Sequence, residues 1–261
     1  MTGPGSRTPN VGRIYDALLN GKDNYAEDRQ AASELIAAIP DVVTGARANR
    51  EFLGRAVRFL AGEASIRQFI DIGAGLPTMG NSHAVAHEVA PDARVAYVDI
   101  DPVVISHARG LLLGKIPEVC AIQGDLRDPA GILDHPDLKA HIDLRQPAAI
   151  LLVAVLHFIP DSEDPYRAVS FLTAAMAPGS YLVVSHGTGD NLGPNAVEKM
   201  QKVYAGATAP AAPRTEAGIA RFLGGLQMVP PGLCDVVSWR AIPGPGQPGR
   251  VLFLGGIGRK P

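Results

Sequence analysis

Three aspartates stand at the ends of short apolar runs in the first half of the chain. Asp71 lies in FIDIGAG, just before a glycine turn at 73–75, Asp99 ends VAYVD, and Asp125 follows the next run by two residues. Glycine lets the backbone approach a ligand closely, and carboxylates accept hydrogen bonds from polar hydrogens. We expect Asp71 to face an ammonium group, Asp99 to accept from ribose hydroxyls, and Asp125 to accept from an exocyclic adenine amine. The backbone N–H of Leu126 is placed to donate to a ring nitrogen of the same base.

Other readings of the same residues are weaker. A dinucleotide fingerprint needs a third glycine at position 78, where Thr78 stands, and an acid at Asp71 disfavours a pyrophosphate. No Tyr-x-x-x-Lys pair follows the fourth apolar run, which also disfavours a nicotinamide-dependent oxidoreductase. Either Asp99 or Asp101 can cap the next helix, and Asp101 fits that role better because Pro102 follows it directly.

Two histidines follow later apolar runs and are candidates for catalysis. His157 comes after the fourth run, and His186 comes after the fifth, in VVSHGTGD. A histidine at such a place can act as a general base for an amine or hydroxyl. The alternatives are a structural role for His157 and a solvent-facing loop position for His186. His83 and His87 have a spacing that could ligate a metal, but a helix surface is the favoured reading, and we predict no metal site.

Five apolar runs, alternating with helical patterns, must position these residues. Their ends are about 25–32 residues apart, the length of a strand–helix–strand unit. The runs are Gln68–Ile72, Arg94–Val98, Val119–Gln123, Ile150–Val155 and Tyr181–Ser185, with helices predicted at 80–90, 102–113 and 165–176. This alternation predicts a Rossmann-like α/β fold with a doubly wound, mostly parallel sheet. In such a sheet the strand ends are neighbours, so the three aspartates should line one site.

The two ends of the chain differ from this central pattern. Helical patterns fill most of residues 1–62, which predicts an N-terminal helical extension before a ligand-binding domain at 63–261. After further helices near 193–205 and 215–225, two runs at Cys234–Trp239 and Val251–Ile257 predict an antiparallel C-terminal hairpin.

Composition narrows the class of protein. The chain has 261 residues, a formal net charge of −2, two cysteines and 46% hydrophobic residues. A near-neutral charge argues against nucleic acid as a partner. The longest apolar run, 148–156, is too short to span a membrane. We expect a cytoplasmic protein with no membrane or nucleic-acid partner, and the oligomeric state is left open.

The motifs in order resemble those of class I S-adenosylmethionine-dependent methyltransferases. The segments are FIDIGAG, VDID, GDLRD, ILLVAVLHFIPD and MAPGSYLVVSH, between about 65 and 190. The N-terminal RIYDALLNGKDNYAEDR and ARANREFLGRAVRFL are similar to a bacterial family of S-adenosyl methyltransferases with unassigned substrate. With that match the resemblance extends over nearly the whole chain. The turn GAGLPTMG departs from the commoner GxGxG, which leaves the backbone path at 76–78 open.

The resemblance implies a role for each motif residue. The cofactor would be S-adenosyl-L-methionine, and S-adenosyl-L-homocysteine the product. Its amino-acid end would lie on the turn and Asp71, its ribose on Asp99, and its adenine on Asp125. The remaining cofactor-binding candidates are Gly73, Ala74 and Gly75 in the turn, Ile100 and Leu126 against the base, Ala154 and Val155 beside the sulfonium, and Tyr15 or Tyr25 from the N-terminal helices.

The resulting functional hypothesis is methyl transfer to an unidentified acceptor, with a small molecule as the default. No NPPY-like tetrad follows the fourth run, which disfavours methylation of DNA amines or glutamine side chains. The alternative is a protein that binds S-adenosylmethionine or S-adenosylhomocysteine as a sensor or regulator without transferring the methyl group. Fold and cofactor do not identify the acceptor.

Overall fold

The computed structural model describes residues 8–76, 81–112, 116–241 and 252–261. Within these ranges the strands are β1 (Gln68–Ile72), β2 (Arg94–Asp99), β3 (Val119–Gln123), β4 (Ala149–Val153), β5 (Tyr181–Gly187), β6 (Gln227–Met228), β7 (Cys234–Asp235) and β8 (Phe253–Arg259). The α-helices are α1 (Val11–Leu18), α2 (Ala26–Ala38), α3 (Val42–Gly62), α4 (Ser82–Val89), α5 (Pro102–Leu112), α6 (Pro129–Asp134), α7 (Pro136–His141), α8 (Pro165–Ala175), α9 (Pro194–Ala205) and α10 (Glu216–Ala220). Short 3-10 turns lie at Leu156–Phe158, Asp161–Glu163 and Arg221–Leu223.

One sheet carries all of these strands, in the order β3-β2-β1-β4-β5-β8-β6, with β7 also paired to β8. Strands β1 to β5 are parallel, and β8 runs antiparallel to β5, from Tyr181 opposite Arg259 to Gly187 opposite Phe253. The predicted fold, a mostly parallel doubly wound sheet that ends in antiparallel strands, is therefore confirmed. Since the order reverses between β1 and β4, the ligand crevice of such a sheet is expected at the carboxyl ends of these strands.

Several predicted boundaries were wrong. Strand β4 ends at Val153, because Ala154 adopts a left-handed conformation with φ 55°. Strand β5 continues to Gly187, since β8 pairs with it to that point. Strand β7 covers only two residues, because the N–H of Trp239 bonds back to the carbonyl of Asp235 in a turn.

The remaining differences are smaller. The short helices α6 and α7 and the strand β6 were not predicted from the sequence. The predicted positions 80, 113 and 251 lie outside the described residues.

The sheet is covered on both faces by apolar side chains. On one face α3 packs through Phe52, Val57 and Leu60 against the strands and the buried Trp239. The opposite face carries the packing of α6, α7, α8 and α10. Helices α1 and α2 form a third cluster around Ile14 and Leu35, with α9 packed beside it. The division of the chain at residue 62 stays a prediction. Within the described residues, no helix combines the length and the apolar character that crossing a membrane demands.

Candidate functional site

A cavity of about 510 Å³ lies at the carboxyl ends of β1 to β4. That volume is in the range of small-molecule and cofactor sites. Helix α1 and the segment 208–210 form the wall opposite the strand ends. The structure places these sequence-predicted residues in its lining: Tyr15, Asp71, Gly73, Ala74, Gly75, Asp99, Ile100, Asp125, Leu126, Ala154 and Val155.

The glycine turn after β1 forms the centre of the cavity floor. Gly73 has φ +73°, and a Cβ there would come within 2.4 Å of the Val155 side chain. Gly75 has φ +65°, and a Cβ there would meet nothing within 4 Å. Only glycine adopts these angles without strain. Gly73 therefore allows the turn to pack on the end of β4, and Gly75 leaves room for a ligand at the backbone.

Asp99 fixes this turn from the neighbouring strand. Its Oδ2 accepts from the N–H of Gly75 at 2.9 Å, and its Oδ1 accepts from the N–H of Asp101 at 2.9 Å. Burial raises the pKa of Asp99. Each carboxylate oxygen has a second lone pair, so the oriented group can still accept from two hydroxyls of a ligand. Asp101 caps α5, accepting from Val103 N–H at 2.8 Å, which confirms the capping alternative for that residue.

Asp71 lies beneath the turn, held by a buried hydroxyl network. Ser82 Oγ donates to Asp71 Oδ2 at 2.7 Å and lies 3.1 Å from the hydroxyl of Tyr97, which also accepts from the His83 N–H. Burial raises the pKa of Asp71 to about 6, against the opposing effects of the Ser82 hydrogen bond and the positive charge of Arg50. Asp71 is therefore ionised at neutral pH and protonated in mild acid.

Asp125 stands at the β3 end of the cavity, paired with an arginine of its own loop. Arg127 Nη2 lies 2.8 Å from Asp125 Oδ2, and Arg127 Nη1 lies 3.2 Å from Glu163 Oε2. Partial burial acts to raise the pKa of Asp125, but the hydrogen bonds and charge of Arg127 hold it below its usual range. A nucleobase at this end of the cavity would meet an oriented carboxylate that is already ion-paired with Arg127.

The end of β4 is held by residues that the sequence did not single out. The strained Ala154 donates its N–H to the Oγ of Ser185 at 3.0 Å, and that hydroxyl donates to the Oδ1 of Asn49. Asn49 Nδ2 donates to the hydroxyl of Tyr15 at 3.0 Å, and this hydroxyl donates to Ala46 O. Tyr15 thus lines the cavity with its hydroxyl already bonded to protein. Strained backbone held by its surroundings is common at functional sites.

Helix α1 lies directly over the glycine turn. Asn10 caps α1 by accepting from Gly12 N–H at 2.9 Å, and its Nδ2 donates to Asp101 Oδ2 at 2.9 Å. A Cβ on Gly12 would stand 4.0 Å from the Cα of Gly75. These contacts make the N-terminal helix a wall of the cavity. The capping Asn10 is a signal that sequence analysis could have used.

Asp16, further along α1, also lines the cavity. The residue is 1% exposed, and its Oδ2 accepts from Asp23 N–H at 3.0 Å and Asn24 Nδ2 at 2.8 Å. Among the described residues, two buried side-chain polar atoms have no hydrogen-bond partner, Asp16 Oδ1 and Trp239 Nε1. Trp239 does not line the cavity. A Cβ on Gly21 would overlap the Asp16 carboxylate, so Asp16 Oδ1 packs against the backbone of the loop that follows α1.

Tyr25 does not line the cavity. It precedes α2, is 45% exposed, and has the Arg13 guanidinium 5.2 Å from its ring centroid. Its backbone N–H bonds to Asp28, which fixes the start of the helix. Of the two tyrosine candidates, Tyr15 lies in the lining of the cavity and Tyr25 lies outside it.

The two candidate catalytic histidines also lie outside the lining. Because β5 extends to Gly187, His186 is a strand residue whose side chain points to the sheet face opposite Ser185. It is completely buried, with Nε2 at 2.8 Å from Arg214 Nη1, and burial with this cation lowers its pKa to about 3. His157 packs its ring on His186 and Phe253, and burial lowers its pKa as well. Neither histidine is placed to act as a base in this cavity.

Fold and site together define a class I type of methyltransferase architecture: a doubly wound sheet with a glycine turn after β1 and a carboxylate at the end of β2. The family model described as S-adenosyl methyltransferase matches residues 5–261. The chain therefore belongs to the S-adenosyl methyltransferase family, as the sequence motifs predicted. Among proteins of curated function, none matches this chain.

Solved structures agree with this assignment. A candidate methyltransferase from Thermobifida fusca YX is 43% identical, with 97% of this chain and 95% of that chain covered and a TM-score of 0.90. A DUF574 family protein from Streptomyces avermitilis MA-4680 is 38% identical, with 97% and 98% covered and a TM-score of 0.92. Human N-acetylserotonin methyltransferase, solved with S-adenosylmethionine, shares the fold at 15% identity, with 95% and 66% covered and a TM-score of 0.51.

Proposed function

We propose that this protein transfers the methyl group of S-adenosylmethionine to a small-molecule acceptor. The observation that carries the proposal is the set of three carboxylates, Asp71, Asp99 and Asp125, which stand at the carboxyl ends of three adjacent parallel strands and line one cavity. Their order along the sheet matches the ammonium, ribose and adenine of an extended nucleoside ligand. Family membership supports the same cofactor.

The charge of the cavity supports a cationic ligand. Six carboxylates and three guanidinium groups line it among the described residues. S-adenosylmethionine carries a sulfonium and an ammonium, and buried charges are stable only when they are paired. The open space at Gly75 gives the amino-acid end room against the backbone. The residues present therefore fit this cofactor.

In this mechanism the protein binds the cofactor and the acceptor and aligns them, because S-adenosylmethionine supplies a methyl group already activated on sulfur. Asp99 would hold the ribose, with its carboxylate oriented by the turn. Ala154 and Val155, with Tyr15 above them, would exclude water beside the reacting atoms. Alignment and water exclusion account for much of the rate enhancement in reactions of this kind.

The acceptor end of the cavity supports a small and largely apolar substrate. Beyond β4 the lining includes Val155, Phe158, Ile159 and Pro210. The chain has a net charge of −2, which does not favour a nucleic-acid acceptor. We therefore keep a small molecule as the acceptor class.

Isothermal titration with S-adenosylmethionine, S-adenosylhomocysteine and NAD in parallel tests the proposal. We expect micromolar binding of the two sulfur ligands and no heat with NAD. Absence of heat with both sulfur ligands, or equal binding of NAD, would contradict the assignment of the cavity. Binding without product formation for any acceptor would instead favour a sensor or regulator.

A further inference from the structure

Among the described residues, three arginines line the cavity, and each stands on a different element. Arg127 follows β3, Arg13 lies on α1, and Arg50 lies on α3. The Nη2 atom of Arg50 donates to Asn81 Oδ1 at 3.3 Å, and Asn81 is the residue that precedes α4. The Arg50 side chain therefore extends from α3 to the start of α4.

The start of α4 also holds the carboxylate of Asp71. Ser82, the residue after Asn81, donates its hydroxyl to Asp71 Oδ2 at 2.7 Å. Arg50 and Asp71 are thus bonded to consecutive residues of the chain. Burial raises the pKa of both Asp71 and Tyr15, and the positive charge of Arg50 opposes that rise at both groups. The guanidinium therefore belongs to the same end of the cavity as the Asp71 carboxylate.

The orientation of α3 directs Arg50 at the cavity. Asn49, Arg50 and Leu53 of this helix all belong to the lining. Asn49 Nδ2 donates to the Tyr15 hydroxyl at 3.0 Å, which fixes this face of α3 against α1. Arg47, three residues before Arg50, is exposed and does not belong to the lining. The same helix thus carries one arginine at the cavity and one in solvent.

The chemistry of the proposed cofactor calls for a cation at this end. Its amino-acid end carries an ammonium and a carboxylate on the same carbon. Asp71 can pair with the ammonium, but its negative charge repels a second carboxylate, and a buried charge is stable only when it is compensated. A guanidinium can bind a carboxylate through two parallel hydrogen bonds. Asp71 and Arg50 together therefore present both signs of charge to a zwitterion.

We propose that Arg50 binds the carboxylate of the cofactor's amino-acid end, beside the Asp71 carboxylate that receives its ammonium. The cavity then selects nucleosides that carry a complete amino acid over those that carry an amine alone. This inference rests on the proposed function, because it assigns a protein partner to one group of the proposed cofactor.

Three nucleosides test the proposal: S-adenosylhomocysteine, its decarboxylated analogue, which keeps the amine, and methylthioadenosine, which has neither group. Their dissociation constants are measured by isothermal titration of the full chain at pH 8, where the Asp71 carboxylate stays ionised. We expect the wild type to bind S-adenosylhomocysteine about tenfold or more tighter than the decarboxylated analogue. Arg50→Met should weaken S-adenosylhomocysteine by about tenfold or more and leave methylthioadenosine unchanged. The decarboxylated analogue should bind this variant at least as tightly as the wild type, because a positive charge near its ammonium is removed.

A matched control removes the same charge from the solvent side of α3. Arg47→Met should leave all three dissociation constants as in the wild type, because Arg47 lies outside the lining. Arg50→Lys keeps the charge but loses the planar two-point contact, so its affinity for S-adenosylhomocysteine should fall between those of the wild type and Arg50→Met. Equal losses in Arg47→Met and Arg50→Met would show a general charge effect and overturn the proposal.

Other results would also overturn it. One is an equal weakening of all three nucleosides in Arg50→Met, which would show that Arg50 only shapes the turn. If Arg50→Met does not fold, a wild type that prefers S-adenosylhomocysteine and an Arg50→Lys variant that weakens this ligand alone support the proposal, and any other pattern overturns it. If the wild type binds none of the three nucleosides, the proposed function fails. If it binds all three equally, the nucleoside site stands and only this inference fails.

Discussion

The strand ends of β1 to β3 and those of β4 to β5 use their polar residues in opposite ways. At the first three strands, Asp71, Asp99 and Asp125 line the cavity. At the last two, His157 and His186 turn into the protein, where His186 contacts Arg214 at 2.8 Å. Arg214 is 7% exposed and bonds to the carbonyls of Leu156 and Ile159.

The difference shows two kinds of polar site in one sheet. The carboxylates at the ends of β1 to β3 line the cavity, and the lone pairs not used by the protein can accept further hydrogen bonds there. Arg214, in contrast, donates its hydrogen bonds to the backbone carbonyls of Leu156 and Ile159. It therefore fixes the loop from which Phe158 and Ile159 reach the cavity. We therefore expect substitutions in the first region to change affinity and substitutions in the second to change stability.

The largest effect is expected for Arg214→Met. The substitution leaves two buried carbonyls and the His186 ring nitrogen without a hydrogen-bond donor. The free energy of unfolding should therefore fall by about 3 kcal/mol. Chemical denaturation measures the loss, and Arg167→Met, at an exposed position on α8, is the control. A stability near that of the wild type would contradict a structural role for this cluster.

Asp99→Ala is expected to act on binding. Loss of a charge-assisted hydrogen-bond acceptor should weaken S-adenosylhomocysteine by about 1.5–3 kcal/mol, roughly ten- to a hundredfold in the dissociation constant. The control is Asp92→Ala, an exposed acid just before the same strand. An unchanged dissociation constant for Asp99→Ala would remove this residue from the site.

The two glycines of the turn should separate affinity from stability. Gly75→Ala costs about 1–2 kcal/mol of backbone strain and puts a methyl group in the ligand space, so affinity should fall about tenfold. Gly73→Ala should lower the melting temperature more, since its Cβ would come within 2.4 Å of Val155. The reverse order of melting temperatures would contradict the packing described for the turn.

Binding should depend on the charge of Asp71. Burial raises its pKa to about 6, so the carboxylate that we propose pairs with the cofactor's ammonium is present above pH 6 and is lost as the pH falls through that value. Affinity for S-adenosylhomocysteine should therefore fall about tenfold between pH 7 and pH 5. Methylthioadenosine, which lacks the amino-acid end, should show a flat profile; a parallel loss for both ligands would place the titrating group elsewhere.

The smallest effect is expected at His186. Burial and Arg214 lower its pKa to about 3, so its ring should stay neutral from pH 5 to pH 8. Its NMR signals, assigned with His186→Asn, should not titrate in this range. A midpoint near neutrality would instead indicate an accessible ring and reopen its candidacy as a base.

The fold was predictable because it depends on local signals. The apolar runs and their spacing predicted the parallel sheet. Because the aspartates stand at the ends of these runs, they were predicted to lie at one edge of the sheet. The Asn49 to Ser185 link was not predictable, since it joins residues 136 apart in sequence. His186 was misplaced for a related reason: pairing with β8 extends β5 by two residues, and in a strand a shift of one residue changes the face of the sheet.

A crystal structure with S-adenosylhomocysteine bound would test the central claim most directly. The account predicts both ribose hydroxyls within hydrogen-bond distance of Asp99, the amino-acid end over Gly73 to Gly75 near Asp71, and the adenine between Ile100 and Leu126. A ligand bound elsewhere, or one whose ribose makes no contact with Asp99, would contradict it.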